Sequence, residues 1–137
     1  MTYHKMDAER RLNLLNSIRS DLSGRGYIIF AYLFGSFNDY DEAVGFRDID
    51  IALYMSEVED PLSEALSIGV ELSSKYNLPI DCLPLNYAPL SLGYRIFRDG
   101  TALFCKDEVL RDAIIEDTVT EVLDFMPLRE GAIRELV

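Results

Sequence analysis

A continuous run of apolar and aromatic residues at positions 27–34 constrains the fold of this chain more than any other stretch of its sequence. The run is shorter than a typical helix but long enough for a strand. Because polar residues do not alternate with the apolar ones, the pattern indicates a central strand that is covered on both faces. Gly35 and Ser36 follow the run and predict that the strand ends there.

The next strand-like segment, residues 48–55, carries two acids within an apolar pattern. Asp48 and Asp50 point to one face of the predicted sheet, with their Cα atoms about 6–7 Å apart. Aspartate is depleted in strands, so two of them on one face require an explanation. The apolar residues of the segment recur at every second position and point to the opposite face: Ile49, Ile51, Leu53 and Met55.

Helical patterns surround these two strands. Asp60 and Pro61 form a typical helix start, with aspartate as the N-cap and proline at the first helical position. Pro127 is expected to stop the last helix. Helices are predicted over residues 7–22, 60–77 and 107–126.

Two further strands, residues 78–83 and 101–105, complete the predicted sheet, and residues 84–100 are predicted to form a loop with a short helical piece. Only about a dozen loop residues separate the first two strands, so no full helix needs to cross between them. This order departs from the strict strand–helix alternation of doubly wound folds. We therefore expect an α+β fold, with a mixed central sheet and helices packed mainly on one face.

Composition and charge limit the kinds of protein that this chain can be. Its 137 residues, 49% of them hydrophobic, fit a single domain over residues 1–137 with a substantial core. The net charge of −11 argues against a nucleic-acid partner, because nucleic-acid affinity depends on lysine and arginine. No apolar stretch would span a membrane, and the polar N-terminal residues lack a secretory signal, so a cytoplasmic protein is expected. Cys82 and Cys105 have no metal-ligand spacing and are expected to be buried free thiols.

A third acid, Asp81, lies in the next predicted strand and is again surrounded by apolar residues. If that strand is next to the second one, Asp81 joins Asp48 and Asp50 on one patch. Three neighbouring carboxylates repel each other, and a hard divalent cation such as Mg²⁺ removes the conflict. Two isolated acids would indicate a solvated sheet face. The third acid, and the lack of an alternating lysine or arginine beside the pair, favour a magnesium site instead.

Gly35 and Ser36 have a matching chemistry. A glycine after a strand lets the backbone approach a phosphate closely, and the serine hydroxyl can donate a hydrogen bond to it. If a short helix began at Ser36, its free N–H groups would also bind an anion. By itself a Gly-Ser pair usually marks only a turn, so its meaning depends on the acids that follow.

The combination of Gly35-Ser36, a loop, and then Asp48-Ile49-Asp50 resembles the signature of the nucleotidyltransferase superfamily with a DNA polymerase β-like palm. Asp81, in "LPIDCLPL", falls where that family has its third acid. The segments "LNYAPLSLGYRIFRDGTALFCKDEVLRDAI" and "VLDFMPL" extend the similarity to the minimal nucleotidyltransferases, specifically the MntA-type antitoxins of HEPN/MNT toxin–antitoxin systems. The resemblance covers nearly the whole chain.

This resemblance implies a polymerase β-like fold and a transfer of AMP from ATP to a tyrosine hydroxyl of a HEPN ribonuclease toxin. Asp48, Asp50 and Asp81 would be both the catalytic residues and the Mg²⁺ ligands, with Asp81 helping to deprotonate the hydroxyl. Gly35 and Ser36 would hold the β/γ end of the triphosphate. A hetero-oligomer with the toxin is expected. His4, the one histidine, is expected to be an exposed tail residue and not a catalytic base.

The loop after Ser36 leaves alternatives open. Active relatives usually carry a basic residue there, whereas residues 39–42 of this chain are mostly acidic. Arg47 either supplies the positive charge that the basic residue of the relatives provides, or is a solvated loop residue. A chain with a degenerate site would neutralise its toxin by contact alone. A third alternative, nucleotide transfer to a small molecule such as an aminoglycoside, usually needs an added domain for which this chain has little room.

Overall fold

The structure, a computed structural model, describes residues 3–125. Within that range the chain forms four helices and four strands, as the sequence predicted in all but one segment. The predicted stop at Pro127 lies outside the described residues. The elements are α1 (Ala8–Ser23), β1 (Ile28–Phe34), β2 (Ile49–Met55), α2 (Pro61–Tyr76), β3 (Ile80–Pro84), a 3-10 turn (Leu85–Tyr87), α3 (Leu90–Asp99), β4 (Thr101–Cys105) and α4 (Glu108–Phe125).

Aspartate side chains cap the starts of α1 and α2, and the cap at Asp60 is the one that the sequence predicted. The side chain of Asp7 accepts a hydrogen bond from the amide of Arg10 at 2.8 Å at the start of α1. Asp60 does the same for α2, accepting from the amide of Ser63 at 3.2 Å. At its other end α2 stops at Asn77, whose left-handed φ of 53° cannot continue a helix.

The four strands form one mixed sheet in the order β3-β2-β1-β4. Strand β1 runs antiparallel to both β2 and β4, whereas β2 and β3 are parallel. The parallel pair is possible because α2 connects its two strands, while a loop suffices for the antiparallel pair β1–β2. The prediction of an α+β fold with a mixed sheet is confirmed.

The larger core lies on the face of the sheet that α1 and α2 cover. It is built from the alternate apolar residues of β2 together with residues from both helices, among them Ile18, Leu22, Ile51, Leu53, Ile68 and Leu72. Gly69 lets α2 approach β3 closely, because a Cβ there would lie 3.2 Å from the carbonyl oxygen of Ile80. This face contains most of the buried residues.

The opposite face carries a smaller cluster under α3 and α4. Phe30, Tyr32, Ala52 and Ile96 are its buried members. The sequence predicted only a short helical piece in residues 84–100 and placed the helices mainly on one face, so α3 and its cover of the second face were underestimated. The aromatic side chains of β1 explain the difference, since a strand that is apolar on both sides needs cover on both sides.

None of the helices within residues 3–125 combines the length and the apolar character that crossing a membrane requires.

Candidate active site

The acids that the sequence singled out lie at one end of the pair β2–β3. Asp50 and Asp81 are direct partners in the parallel register, so their side chains point to the same side of the sheet. Asp48 precedes β2 by one residue and is two positions from Asp50, which places it on that side as well. The predicted adjacency of the second and third strands therefore brings all three carboxyl groups to one patch.

The electrostatics of Asp50 confirm that these groups influence each other. Burial, then the charge of Asp48 and then the charge of Asp81 raise the pKa of Asp50 from 3.8 to about 6. The charge of Arg47 opposes the rise. A carboxyl group with a perturbed pKa beside two further acids is typical of a functional site, where the charge conflict is relieved by a ligand.

Gly35 lies directly against this patch. Its φ of +76° is in the left-handed region, and a Cβ added there would collide with Oδ2 of Asp50. Any other residue would therefore be strained in its backbone and would also displace the carboxylate. The sequence predicted a close approach of backbone and ligand at this position, and the structure shows that the space next to the carboxylate exists only because residue 35 is glycine.

Ser36 connects the end of β1 to the start of β2. Its hydroxyl accepts a hydrogen bond from the amide of Arg47 at 3.3 Å and donates one to the carbonyl of Asp48 at 3.4 Å. Both bonds are long, so the hydroxyl can be redirected at a small cost in energy. No helix begins at Ser36. Residues 35–39 instead form a turn in which the amides of Asn38 and Asp39 both donate to the carbonyl of Gly35.

The loop from residue 36 to residue 47 is fixed by contacts that the sequence analysis missed. The Tyr40 hydroxyl donates to the carbonyl of Met6 at 2.6 Å and accepts from its amide at 2.8 Å. Arg11, on α1, donates from Nη2 to the carbonyl of Phe37 at 2.9 Å, and its guanidinium lies 4.9 Å from the centre of that ring. Aromatic residues at 37, 40 and 46 in an otherwise polar loop were the available signal for this packing.

The acidic residues of this loop are solvent-exposed. Asp39, Asp41 and Glu42 are all exposed, whereas Tyr40 between them is partly buried. Arg47 is exposed too, yet its charge acts on Asp50, so it is more than a distant solvated residue.

The lone histidine is not the free tail residue that was expected. The amide of His4 donates to the carbonyl of Phe46 at 2.8 Å, and the amide of Phe46 donates back at 2.9 Å. A Cβ at Gly45 would lie 2.5 Å from the carbonyl of His4, so glycine is needed where the two segments meet. Residues 4–6 thus form a short strap across the loop that leads to Asp48. Of the two thiols, Cys82 is buried as predicted, while Cys105 is only partly buried.

The residues fit a divalent cation by type and position, since three carboxylates share a patch that has no side chain at residue 35. Within residues 3–125, however, no three aspartate, glutamate, histidine or cysteine side chains are already arranged as a metal site.

A comparison with protein families identifies the chain. Residues 16–109 match the family described as polymerase beta, nucleotidyltransferase. No curated protein sequence matches the chain. The match covers more than half of the sequence and spans Gly35, Ser36 and all three acids, so the chain belongs to the polymerase β-type nucleotidyltransferase family. The family and the fold that the sequence motifs predicted are both confirmed.

Solved structures support the same fold. A chain of the complex between tri-AMPylated Shewanella oneidensis HEPN toxin and MNT antitoxin superposes with a TM-score of 0.69 at 20% identity, covering 92% of this chain and 98% of that one. A chain of the toxin–antitoxin complex MntA–HepT gives 0.68 at 20% identity, with 91% and 97% covered. A chain of a toxin–antitoxin complex with AMP-PNP gives 0.65 at 19% identity, with 90% and 96% covered.

Proposed function

We propose that this nucleotidyltransferase domain transfers AMP from ATP to a tyrosine hydroxyl of a HEPN ribonuclease and acts as the antitoxin of that protein. The observation that carries the proposal is the shared patch of Asp48, Asp50 and Asp81 beside the bare backbone of Gly35. Structural relatives support the substrates, since one is a complex with AMP-PNP and another contains a tri-AMPylated HEPN toxin with its MNT antitoxin.

Each residue has a role that follows from its position. Asp48 and Asp50 would hold Mg²⁺, which when bound neutralises the carboxylates and the triphosphate and stabilises the charge that develops on the oxygens. Gly35 leaves room for the phosphates to approach the backbone. Ser36 turns its weakly bonded hydroxyl from the carbonyl of Asp48 to a phosphate oxygen. The attacking hydroxyl bonds to the α-phosphorus, pyrophosphate leaves, and the exposed carboxylate of Asp81 accepts the proton of the hydroxyl.

The acidic surface is compatible with this partner. A net charge of −11 favours encounter with a basic protein and disfavours direct contact with RNA. The chain would therefore act on the ribonuclease itself, in a hetero-oligomer, rather than compete for its substrate.

Neutralisation by contact alone is the second candidate. The mostly acidic residues 39–42, in the loop where active relatives usually carry a basic residue, favour it. The two candidates differ in whether toxin control needs the acids.

The test uses the purified chain, the product of the adjacent gene if that gene encodes a small helical ribonuclease, α-labelled ATP and Mg²⁺. Label on the ribonuclease that disappears with Asp48→Asn and with Asp50→Asn supports transfer. Asp112→Asn removes the same charge from an exposed position on α4 and serves as the matched control, for which labelling should persist. Neutralisation that survives both site variants contradicts transfer and supports contact alone. Label on an aminoglycoside but not on the ribonuclease would indicate a small-molecule acceptor.

A further inference from the structure

A groove between α3 and α4 lies on the same side of the sheet as the acids. Its volume is about 350 Å³. Tyr54 of β2 lines it, and Tyr54 shares a face with Asp50 four residues earlier, so the groove begins about 13 Å along the strand from the acids. Its other apolar lining comes from Leu85, Leu90, Phe97 and Ile114.

Gly93 indicates that this space is kept open. It lies in the middle of α3, where glycine weakens a helix relative to alanine. Nothing in the described chain requires a glycine there: its φ is not in the left-handed region, and an added Cβ would meet no atom within 4 Å. The missing side chain instead enlarges the groove that Gly93 lines. A helix-weakening residue beside unfilled space is expected where something else occupies that space.

The charges of the groove specify what that occupant is. Asp117 and Glu121 line it one helical turn apart on α4, and the lining residues include no lysine or arginine. Like charges at this spacing repel each other, and a cation placed between them relieves the repulsion. An apolar floor below two acids suits a lysine or arginine, whose stem is apolar and whose head is charged.

Two exposed aromatic residues lie close in sequence to residues that line the groove. Phe125 is 84% exposed and lies one turn beyond Glu121 on α4, and Tyr87 is 77% exposed in the 3-10 turn that contributes Leu85 to the lining. Exposed aromatic side chains around a pocket are typical of protein–protein contact sites.

We propose that the groove between α3 and α4 is the docking site of the acceptor protein and takes a lysine or arginine side chain from that protein. This inference rests on the proposed function, in which the acceptor is a protein. Docking on the face that carries Asp50 positions the acceptor hydroxyl toward the acids instead of toward the far side of the sheet.

Two kinds of variant test the proposal. Gly93→Leu fills the groove at a position with open space, so it should leave the thermal unfolding midpoint unchanged or raise it. The double variant Asp117→Asn/Glu121→Gln removes the two groove charges. Its matched control, Asp112→Asn/Glu116→Gln, removes two exposed charges from positions of α4 whose side chains do not line the groove. Binding of the adjacent gene's ribonuclease product is measured by biolayer interferometry without ATP or Mg²⁺.

Gly93→Leu and the charge variant should each weaken binding by about tenfold or more. The charge variant should also make binding less dependent on salt concentration, while the control should bind within about twofold of wild type. Equal weakening by both double variants, unchanged binding by Gly93→Leu, or no binding by the wild type overturns the proposal. Loss of ATP binding by Gly93→Leu in the isolated chain also overturns it, because the groove would then belong to the nucleotide. Failure of the transfer chemistry is distinguishable: Asp50→Asn should bind the partner normally and transfer nothing.

Discussion

Asp50 and Asp81 are direct partners on two parallel strands, although 31 positions separate them in the sequence. The pairing places two carboxylates side by side on the same face, where they repel each other. Burial, the charge of Asp48 and the repulsion from Asp81, in that order, make the charged form of Asp50 unfavourable and raise its pKa to about 6. A metal-free protein therefore carries an electrostatic cost at the patch where a cation would bind.

The stability of the protein should show this cost as a pH dependence. The folded-state pKa of Asp50 lies above its ordinary value of 3.8, so the folded protein holds the proton more tightly than the unfolded chain does. The contribution of this group to the free energy of unfolding is greatest at acidic pH and falls as the pH rises from about 4 to about 6. For a group that is only partly buried, we expect a loss of roughly 1 kcal/mol after allowing for solvent screening.

Urea unfolding of wild type and Asp50→Asn at pH 4.5 and pH 7.5 measures this effect. Asparagine imitates the protonated acid, so the variant should gain stability relative to wild type between the two pH values. Added Mg²⁺ at pH 7.5 should stabilise the wild type more than the variant. If wild type and Asp50→Asn differed in stability by the same amount at pH 4.5 and at pH 7.5, the folded protein would not raise the pKa of Asp50.

Gly35→Ala should strain the backbone and displace a carboxylate of the site. Alanine at a φ of +76° is strained, and its Cβ would displace the carboxylate of Asp50. We expect a loss of ~1–3 kcal/mol in the free energy of unfolding and a loss of Mg²⁺-dependent ATP binding, measured by denaturation and calorimetry. Gly26→Ala is the matched control, because Gly26 has no left-handed φ and an added Cβ would meet nothing within 4 Å. If Gly35→Ala and Gly26→Ala had the same stability and the same ATP affinity, the close approach of Gly35 to Asp50 would affect neither quantity.

The sequence predicted the parts of the structure that depend on local patterns. Alternation in residues 48–55 and the single acid in "LPIDCLPL" were enough to predict that Asp48, Asp50 and Asp81 share one face, given adjacent strands. The resemblance to the family motif predicted that Gly35 and Ser36 hold the triphosphate. Helix α3 was underestimated because the glycine within "LSLGYRIFRD" lowers its helix propensity, although the apolar and charged residues of the segment fall on opposite faces of a helix.

Long-range contacts of the loop were beyond sequence reasoning. Nothing in the pattern of residues 3–7 indicates that His4 pairs with Phe46, or that Tyr40 binds both backbone groups of Met6. Such contacts depend on the loop path, which neither propensity nor periodicity specifies. The sequence did not show whether the acids of the loop face the solvent, and the structure shows that they are exposed.

Ser36→Ala should separate a binding role from a structural one. The two hydrogen bonds of the hydroxyl are 3.3 and 3.4 Å long, so their loss should change the free energy of unfolding by less than about 1 kcal/mol. ATP affinity should fall by about tenfold if the hydroxyl binds a phosphate, because one direct hydrogen bond would be lost. Ser23→Ala removes a hydroxyl with a similarly long bond of 3.3 Å on α1 and should leave both quantities unchanged. Unchanged ATP affinity in Ser36→Ala would restrict Ser36 to connecting the two strands.

Tyr40→Phe tests whether the strap of residues 4–6 positions the loop. The variant keeps the ring but loses two hydrogen bonds to Met6, which should cost ~1–3 kcal/mol of stability. The amides of His4 and Phe46, which pair with each other, should then exchange hydrogen faster, as measured by NMR or mass spectrometry. Because the same loop ends at Asp48, the KM for ATP should rise.

Tyr27→Phe provides the comparison for that variant, since it removes a 2.6 Å hydrogen bond to Glu64 that joins the chain just before β1 to α2, away from the loop. It should lower stability without altering exchange at His4 and Phe46 or the KM for ATP. A purely structural Tyr40 would give the same result as Tyr27, with lower stability and an unchanged KM. A rise in KM confined to Tyr40→Phe would instead show that the N-terminal strap, through the loop, helps to set the position of the acids.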